Sequence, residues 1–240
     1  MIGIIGAMEE EVDALKQKIE IVNTNQYHGY IFYEGTMCGE KVILLQGGIG
    51  KVNAAISATL LLTHYDIEYV INIGSAGGVR QEQNVGDVVI SSSVVHHDVD
   101  VTAFQREIGE IPGMPLFFKP DNLLLSMVED ILKEQKNSYH IGLIASGDQF
   151  VAQKYQFDKI CHDFPDVMCV EMEAASIAQV CHVFHTKFII TRSLSDIYNK
   201  GENHIQFDEY LKKASLSSAN MCYSLISKIA SYDGEKNEKN

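Results

Sequence analysis

Residues 69–78 read Tyr-Val-Ile-Asn-Ile-Gly-Ser-Ala-Gly-Gly. An apolar run rich in β-branched residues, too short for a buried helix, breaks abruptly into small residues. Such a run reads as a strand buried on both faces that ends in a turn. The same grammar recurs along the chain. Ile2–Ile5 runs into Gly6, Ile141–Ala145 into Ser146-Gly147-Asp148, Val167–Val170 into Glu171-Met172-Glu173, and Phe188–Ile190 into Thr191-Arg192-Ser193. Between or after these runs, apolar residues take helical spacing at about 9–20, 51–64, 121–135, 153–162, 174–185 and 207–231. Strands alternating with helices predict a largely parallel sheet covered on both faces.

Tyr30–Met37 departs from this pattern. It alternates in polarity, Gly39-Glu40 makes a turn, and Lys41–Gln46 is apolar again, which reads as a β-hairpin. The sheet is therefore expected to be mixed. The predicted fold is α/β, a three-layer sandwich whose central, twisted, largely parallel sheet is flanked by helices. Val85–Val101 reads as extended, and Gln105–Pro120, which holds three of the four prolines, reads as a long surface loop. Residues 1–232 read as a single domain, and 233–240 as a polar, frayed tail.

The chain of 240 residues carries 19 Lys plus Arg against 32 Asp plus Glu, a net charge of −13. A strongly acidic chain is unsuited to nucleic acid and to anionic membrane surfaces. No run approaches the roughly 20 apolar residues of a membrane span. Met1–Gly6 lacks a preceding basic residue and is followed by Glu9, Glu10 and Glu11, which argues against a signal peptide. Five scattered cysteines without a CxxC pair fit a reducing compartment. The expectation is a cytoplasmic α/β protein acting on a small molecule.

In open parallel sheets, ligands bind beyond the carboxyl ends of the strands. Those ends here carry Ser75, Asp148, Glu171, Glu173, Arg192 and Asp196. Gly47-Gly48-Ile49-Gly50-Lys51 has the look of a phosphate loop, but Leu45 and Val52 stand where Walker A needs a glycine and a hydroxyl, so a tight strand-to-helix turn is the favoured reading. Gly74–Gly78 would let backbone N–H groups approach a ligand, or would simply turn. On a strand, His96, Asp98 and Asp100 would share a face as a metal trio, although such clusters are more often solvated strand ends. Carboxylates at separate sheet ends suit glycosidic cleavage, which needs one acid for the leaving group and one carboxylate for water.

Taken together these residues resemble one family, the 5′-methylthioadenosine/S-adenosylhomocysteine nucleosidases of the purine nucleoside phosphorylase-like superfamily. The resemblance rests on Ile4–Glu11, Gly74–Gly78, Val170–Ala174 and Arg192–Asp196, with His97–Phe104 and Ala145–Phe150 between them, in order over about residues 1 to 225. It implies that Asp196 protonates adenine N7, that Glu11 holds the attacking water, that Glu173 binds the ribose 2′ hydroxyl, and that Arg192 orients the carboxylates. Ser75, with Ala76, Gly77 and Ser195 beside it, would support the pocket, and Glu171 would sit nearby in support. Met172 would lie against ribose, Phe150 would stack on adenine, and the Val151 backbone would read the purine edge. Met8, Ile49 and Phe207 would line the 5′-alkylthio pocket, served also by Val101, Phe104 and Pro112, partly from a partner subunit of a homodimer. No metal or cofactor is implied.

The implied reaction is hydrolysis of 5′-methylthioadenosine and S-adenosylhomocysteine, and of 5′-deoxyadenosine, to adenine, with a place in methionine salvage. The acidic start of the chain disfavours phosphate as nucleophile, which sets this reading against a purine nucleoside phosphorylase. A metal-dependent hydrolase resting on His96 and Asp98, and a non-catalytic nucleoside sensor, are the other rivals. Cleavage of 6-amino-6-deoxyfutalosine stays open. Arg106 departs from the aromatic or His of relatives, and could meet a substrate carboxylate or point into solvent. Tyr198–Asn203 looks one residue longer than in some relatives.

Overall fold

A computed structural model of the chain describes residues 1–198, 200 and 203–238, apart from the side chains of 203–209, 233 and 235–238. Its elements follow in order: β1 (Ile2–Gly6), α1 (Glu9–Lys16), β2 (Glu20–Tyr27), β3 (Tyr30–Met37), β4 (Glu40–Gln46), α2 (Lys51–His64), β5 (Tyr69–Asn72), β6 (Ser75–Gly78), β7 (Val88–His96), a 3-10 turn (Thr102–Phe104), α3 (Asn122–Glu134), β8 (Tyr139–Ser146), α4 (Lys154–Asp163), β9 (Val167–Glu171), α5 (Ala174–Phe184), β10 (Lys187–Ile197) and α6 (Asn203–Glu238). The helix α6 runs past Asp233, where the sequence reading begins its polar tail.

The side-chain period of two sorts the central strands onto two cores. From β1, Ile2 and Ile4 pack with Val12 and Leu15 of α1 and with Leu225 and Ile229 of α6. Ile5 points the other way, to Ala54, Ala58 and Leu61 of α2. Every residue of β1 is buried, so neither face reads as polar, and this is why the run has no alternation. Each fully buried Ile or Leu contributes about 1.5–3 kcal/mol of transfer free energy.

The strands form one mixed sheet in the order β2-β3-β4-β1-β5-β10-β6-β9-β8-β7, and β10 also pairs with β7. That last pairing corrects the open sandwich expected from sequence, because β10, β6, β9, β8 and β7 close into a ring. Closure depends on the length of β10. Its first residues pair in parallel with β5, from Lys187 to Ile190. Thr191–Ser193 then pair antiparallel with β7, and Ser193–Ile197 pair in parallel with β6 across a bulge between Leu194 and Asp196.

The strand expected to end at Ile190 continues to Ile197, so Arg192, Ser195 and Asp196 lie on it and not beyond it. Gly74–Gly78, read as a loop or a turn, holds a strand from Ser75 to Gly78, because β10 and β9 supply partners on either side. Glu20–Tyr27 forms an edge strand that was not expected, pairing with β3 while exposing most of its side chains. The expected helices otherwise fall within a few residues of those observed. Among the described residues, no helix is long and apolar enough to cross a membrane.

Candidate active site

Three carboxylates surround one guanidinium at the carboxyl ends of β1, β5 and β9, beside the middle of β10. Arg192 is 2% exposed. Its Nη2 donates to Asn72 Oδ1 at 2.6 Å and to Glu171 Oε2 at 2.7 Å, and its Nη1 donates to the Thr191 carbonyl at 3.0 Å. Asn72 is itself held by donating to the Ile5 carbonyl at 2.9 Å. Glu171 Oε2 also accepts from the backbone N–H groups of Glu173 (3.0 Å) and Ala174 (2.8 Å) at the start of α5. The Ser146 hydroxyl donates to Glu171 Oε1. Both oxygens of Glu171 are thus engaged by the protein, as suits a carboxylate at a helix N-terminus.

Glu11 and Glu173 line the same cavity. Glu11 Oε2 accepts from the N–H groups of Ala7 (2.7 Å) and Met8 (3.1 Å), and Oε1 accepts from that of Ser75 at 3.2 Å. Glu173 Oε1 accepts from the Gly50 N–H at 2.9 Å. Burial pushes the Glu11 carboxyl above its ordinary range despite these donors and the nearby Arg192 charge. Burial and the Glu171 charge push Glu173 up to about 8. One cation cannot neutralise three buried carboxylates, so one of them keeps a proton readily. Gly74 leaves room for the cluster, since a Cβ there would sit 3.1 Å from Glu11 Oε1 and crowd that carboxylate.

Asp196 stands on the ring side of the cavity, 3% exposed. The Ser195 hydroxyl lies 2.8 Å from Asp196 Oδ1 and 3.3 Å from the Ala76 carbonyl, and its single proton serves one of them. The cavity between Asp196 and the acid cluster has a volume of about 320 Å3. That is enough for a nucleoside-sized ligand. Phe150, 44% exposed, and the buried Val151 form one apolar wall, with Met8, Ile49 and Met172 around the remainder.

Of the residues expected at the site, Glu11, Glu173, Arg192, Asp196, Ser75, Ala76, Gly77, Phe150, Val151, Glu171, Met172, Ser195, Met8 and Ile49 all line this cavity. Val101, Phe104 and Pro112 do not line it within one chain, and Phe104 is 80% exposed. The side chain of Phe207 lies outside the described residues. Sequence reasoning missed Ala7, Ile73, Gln149 and Val170 in the lining, and Asn72 and Ser146 behind it, and held Gly74 only as part of a loop that could approach a ligand or simply turn. A polar Asn inside the apolar run 69–73 was the available signal for Asn72.

The His96–Asp100 stretch does not converge as a metal trio. His96 Nε2 pairs with Gln179 Oε1 at 3.1 Å, Asp98 pairs with Lys51, and Asp100 accepts from Thr102. Among the described residues, no group of three or more His, Cys, Asp or Glu is placed to hold a metal ion. Arg106 is paired with Glu110 at 2.8 Å on the surface, away from the cavity.

The fold and the cavity define a protein of the phosphorylase superfamily, whose family profile matches residues 1–227. A 5′-methylthioadenosine/S-adenosylhomocysteine nucleosidase from Bacillus cytotoxicus is 48% identical, over 95% of this chain and 99% of that protein. The crystal structure of the nucleosidase of that name from Neisseria meningitidis, in complex with methylthio-immucillin-A, superimposes with a TM-score of 0.91 at 39% identity, over 95% of this chain and 98% of that one. The Colwellia psychrerythraea nucleosidase in complex with adenine gives 0.89 at 41% identity, over 93% of each chain. The chain belongs to the 5′-methylthioadenosine/S-adenosylhomocysteine nucleosidase family within that superfamily.

Proposed function

We propose that this protein hydrolyses the N-glycosidic bond of 5′-methylthioadenosine, S-adenosylhomocysteine and 5′-deoxyadenosine, releasing adenine. The observation that carries water over phosphate concerns the backbone donors of the cavity. The N–H groups that an anion would seek, at Ala7, Met8 and Ser75 and at Gly50, are already taken by Glu11 and Glu173. A phosphate entering here would displace a carboxylate and then face it, whereas a neutral water can accept or donate beside one.

In this reading Asp196 gives its proton to adenine N7. The C1′–N9 bond then breaks with its electron pair leaving on the purine, which departs neutral. Water adds its oxygen to C1′ and yields a proton to Glu11. Glu173 holds the ribose hydroxyl, Met172 lies against the sugar, and Phe150 stacks on the base, with the Val151 backbone reading its edge. Glu171, both of whose oxygens are occupied, acts by holding Arg192 and the start of α5. The test is incubation with 5′-methylthioadenosine and a chelator, without phosphate. Adenine and a free reducing sugar are expected; a requirement for phosphate, with a sugar 1-phosphate as product, overturns the assignment.

The same reading makes the protein a cytoplasmic enzyme of methionine salvage and a homodimer, in which Val101, Phe104 and Pro112 of one subunit close the 5′ end of the other's cavity. Supporting this, Phe104, Val52 and Ile49 are 80%, 68% and 53% exposed in the single chain. Large apolar side chains left uncovered in one chain are what a partner subunit would cover.

A further inference from the structure

Behind the cavity wall, three chain segments are joined by a closed ring of hydrogen bonds. The Lys51 backbone N–H, at the start of α2, donates to Asp148 Oδ1 at 2.7 Å. The Asp148 N–H, just past β8, donates to Asp98 Oδ2 at 2.9 Å. The Lys51 ammonium returns to Asp98 Oδ1, just past β7, at 2.5 Å. The Lys51 and Asp98 side chains are only 17% and 18% exposed, so this is no freely solvated surface pair. Although burial opposes it, the bonds from Lys51 and Asp148 hold the Asp98 carboxyl below its ordinary range.

The ring touches the site on two sides. Gly50, one residue before Lys51, donates its N–H to Glu173. It does so at φ +93°, where a side chain is strained, and a Cβ there would lie 3.1 Å from Asp148 Oδ1. The Asp148 carboxylate therefore lies over the peptide that addresses Glu173. On the other side, Gln149, Phe150 and Val151 follow Asp148 directly and line the cavity. α2 has no side-chain cap of its own, so Asp148 serves its first turn from a distant part of the chain.

We propose that Lys51, Asp98 and Asp148 form a positioning clasp that keeps the Gly50 N–H on the Glu173 carboxylate and ties that contact to the Gln149–Val151 wall. The clasp deepens the nucleosidase reading and rests on it for its catalytic consequence. None of the three residues touches substrate. Loss of the clasp lets the Gly50 peptide drift, and Glu173 loses its one backbone donor while still facing Glu171, Glu11 and Arg192. His96 and His97 face the Lys51–Asp98 side of the ring.

The experiment compares Asp148→Ala, Asp148→Asn and Lys51→Met with the parent protein, by two readouts. Carbon-13 NMR follows the titration of the Glu173 carboxyl without substrate, and steady-state kinetics follows adenine release. In Asp148→Ala the Glu173 titration moves up by about half a unit or more, because a donor to the ionised form is weakened. Turnover falls roughly tenfold, with a smaller change in KM. Asp148→Asn, whose amide oxygen still accepts from Lys51, restores both. Lys51→Met, which keeps the backbone N–H, gives a smaller shift in the same direction and covers the case in which Asp148→Ala does not fold. A Glu173 titration unmoved in the folded variants, or left unrestored by Asp148→Asn, overturns the clasp. Absence of adenine release by the parent protein overturns the nucleosidase reading instead, and leaves the titration to decide the clasp.

Discussion

Arg192 Nη2 lies 2.7 Å from Glu171 Oε2, and both side chains are almost wholly withdrawn from water, at 2% and 3% exposure. The pair is the electrostatic centre of the site, since Arg192 is the cation that Glu11, Glu171 and Glu173 share. Removing it strands buried negative charge. Arg192→Met is therefore expected to destabilise the fold by about 3–5 kcal/mol. The double variant with Glu171→Gln should lose less than the sum of the two single losses. Urea unfolding of the four proteins checks this, and additive losses would show that the pair is not coupled.

Asp196 and Glu11 line one cavity and are assigned opposite halves of the reaction. Asp196→Asn keeps the shape but has no carboxylic proton to give, so turnover should drop roughly 10²-fold or more. Glu11→Gln should lower turnover far more than adenine affinity. Glu9→Gln and Glu10→Gln, at exposed positions of the same helix, should leave turnover within about twofold. Single-turnover rates and equilibrium adenine binding separate these cases; equal losses in all three glutamate variants would remove Glu11 from its role.

The raised proton affinity of Glu173 makes stability depend on pH in a definite direction. Its carboxyl goes from an ordinary value of 4.5 to about 8 in the folded protein. Between those values the folded protein holds a proton that the unfolded chain releases, so stability falls as pH rises through the window. Glu173→Gln removes that contribution. The Tm of the variant minus that of the parent, followed across the window, should rise with pH; a flat difference would mean that the carboxyl titrates normally.

The dimer reading predicts that Phe104→Glu, at a site 80% exposed in the single chain, yields a folded monomer. Its kcat/KM should fall, because the 5′ end of the cavity is left open. Sedimentation of the parent and variant decides the matter, and a fully active monomeric parent would sink it.

How far the fold could be read in advance depended on where each strand sits. β1 and β5 were legible because burial on both faces leaves a plain apolar run. β2 was not, since an edge strand with mostly exposed residues carries no such run. The second half of β10 was hidden for a different reason. Thr191–Asp196 is polar yet buried, and hydrophobic patterning fails where a strand carries chemistry. The residues in contact with the cavity could be named through the resemblance. Asn72 and Ser146 were missed, because what makes them matter is a neighbour brought from 120 and 25 residues away.

The two-sided pairing of β10 also bears on how the pocket breathes. Within the ring, Thr191–Ser193 pair with β7 and Ser193–Ile197 pair with β6 across the bulge at Ser195. The amide protons held in these ladders exchange with solvent when the ring opens locally or comes apart, so their protection should approach that of the whole fold. The Asp196 side of the pocket is then a fixed anvil. Under the nucleosidase reading, ligands with 5′ groups of different length would be accommodated away from this strand, where Ile49 stands half in solvent.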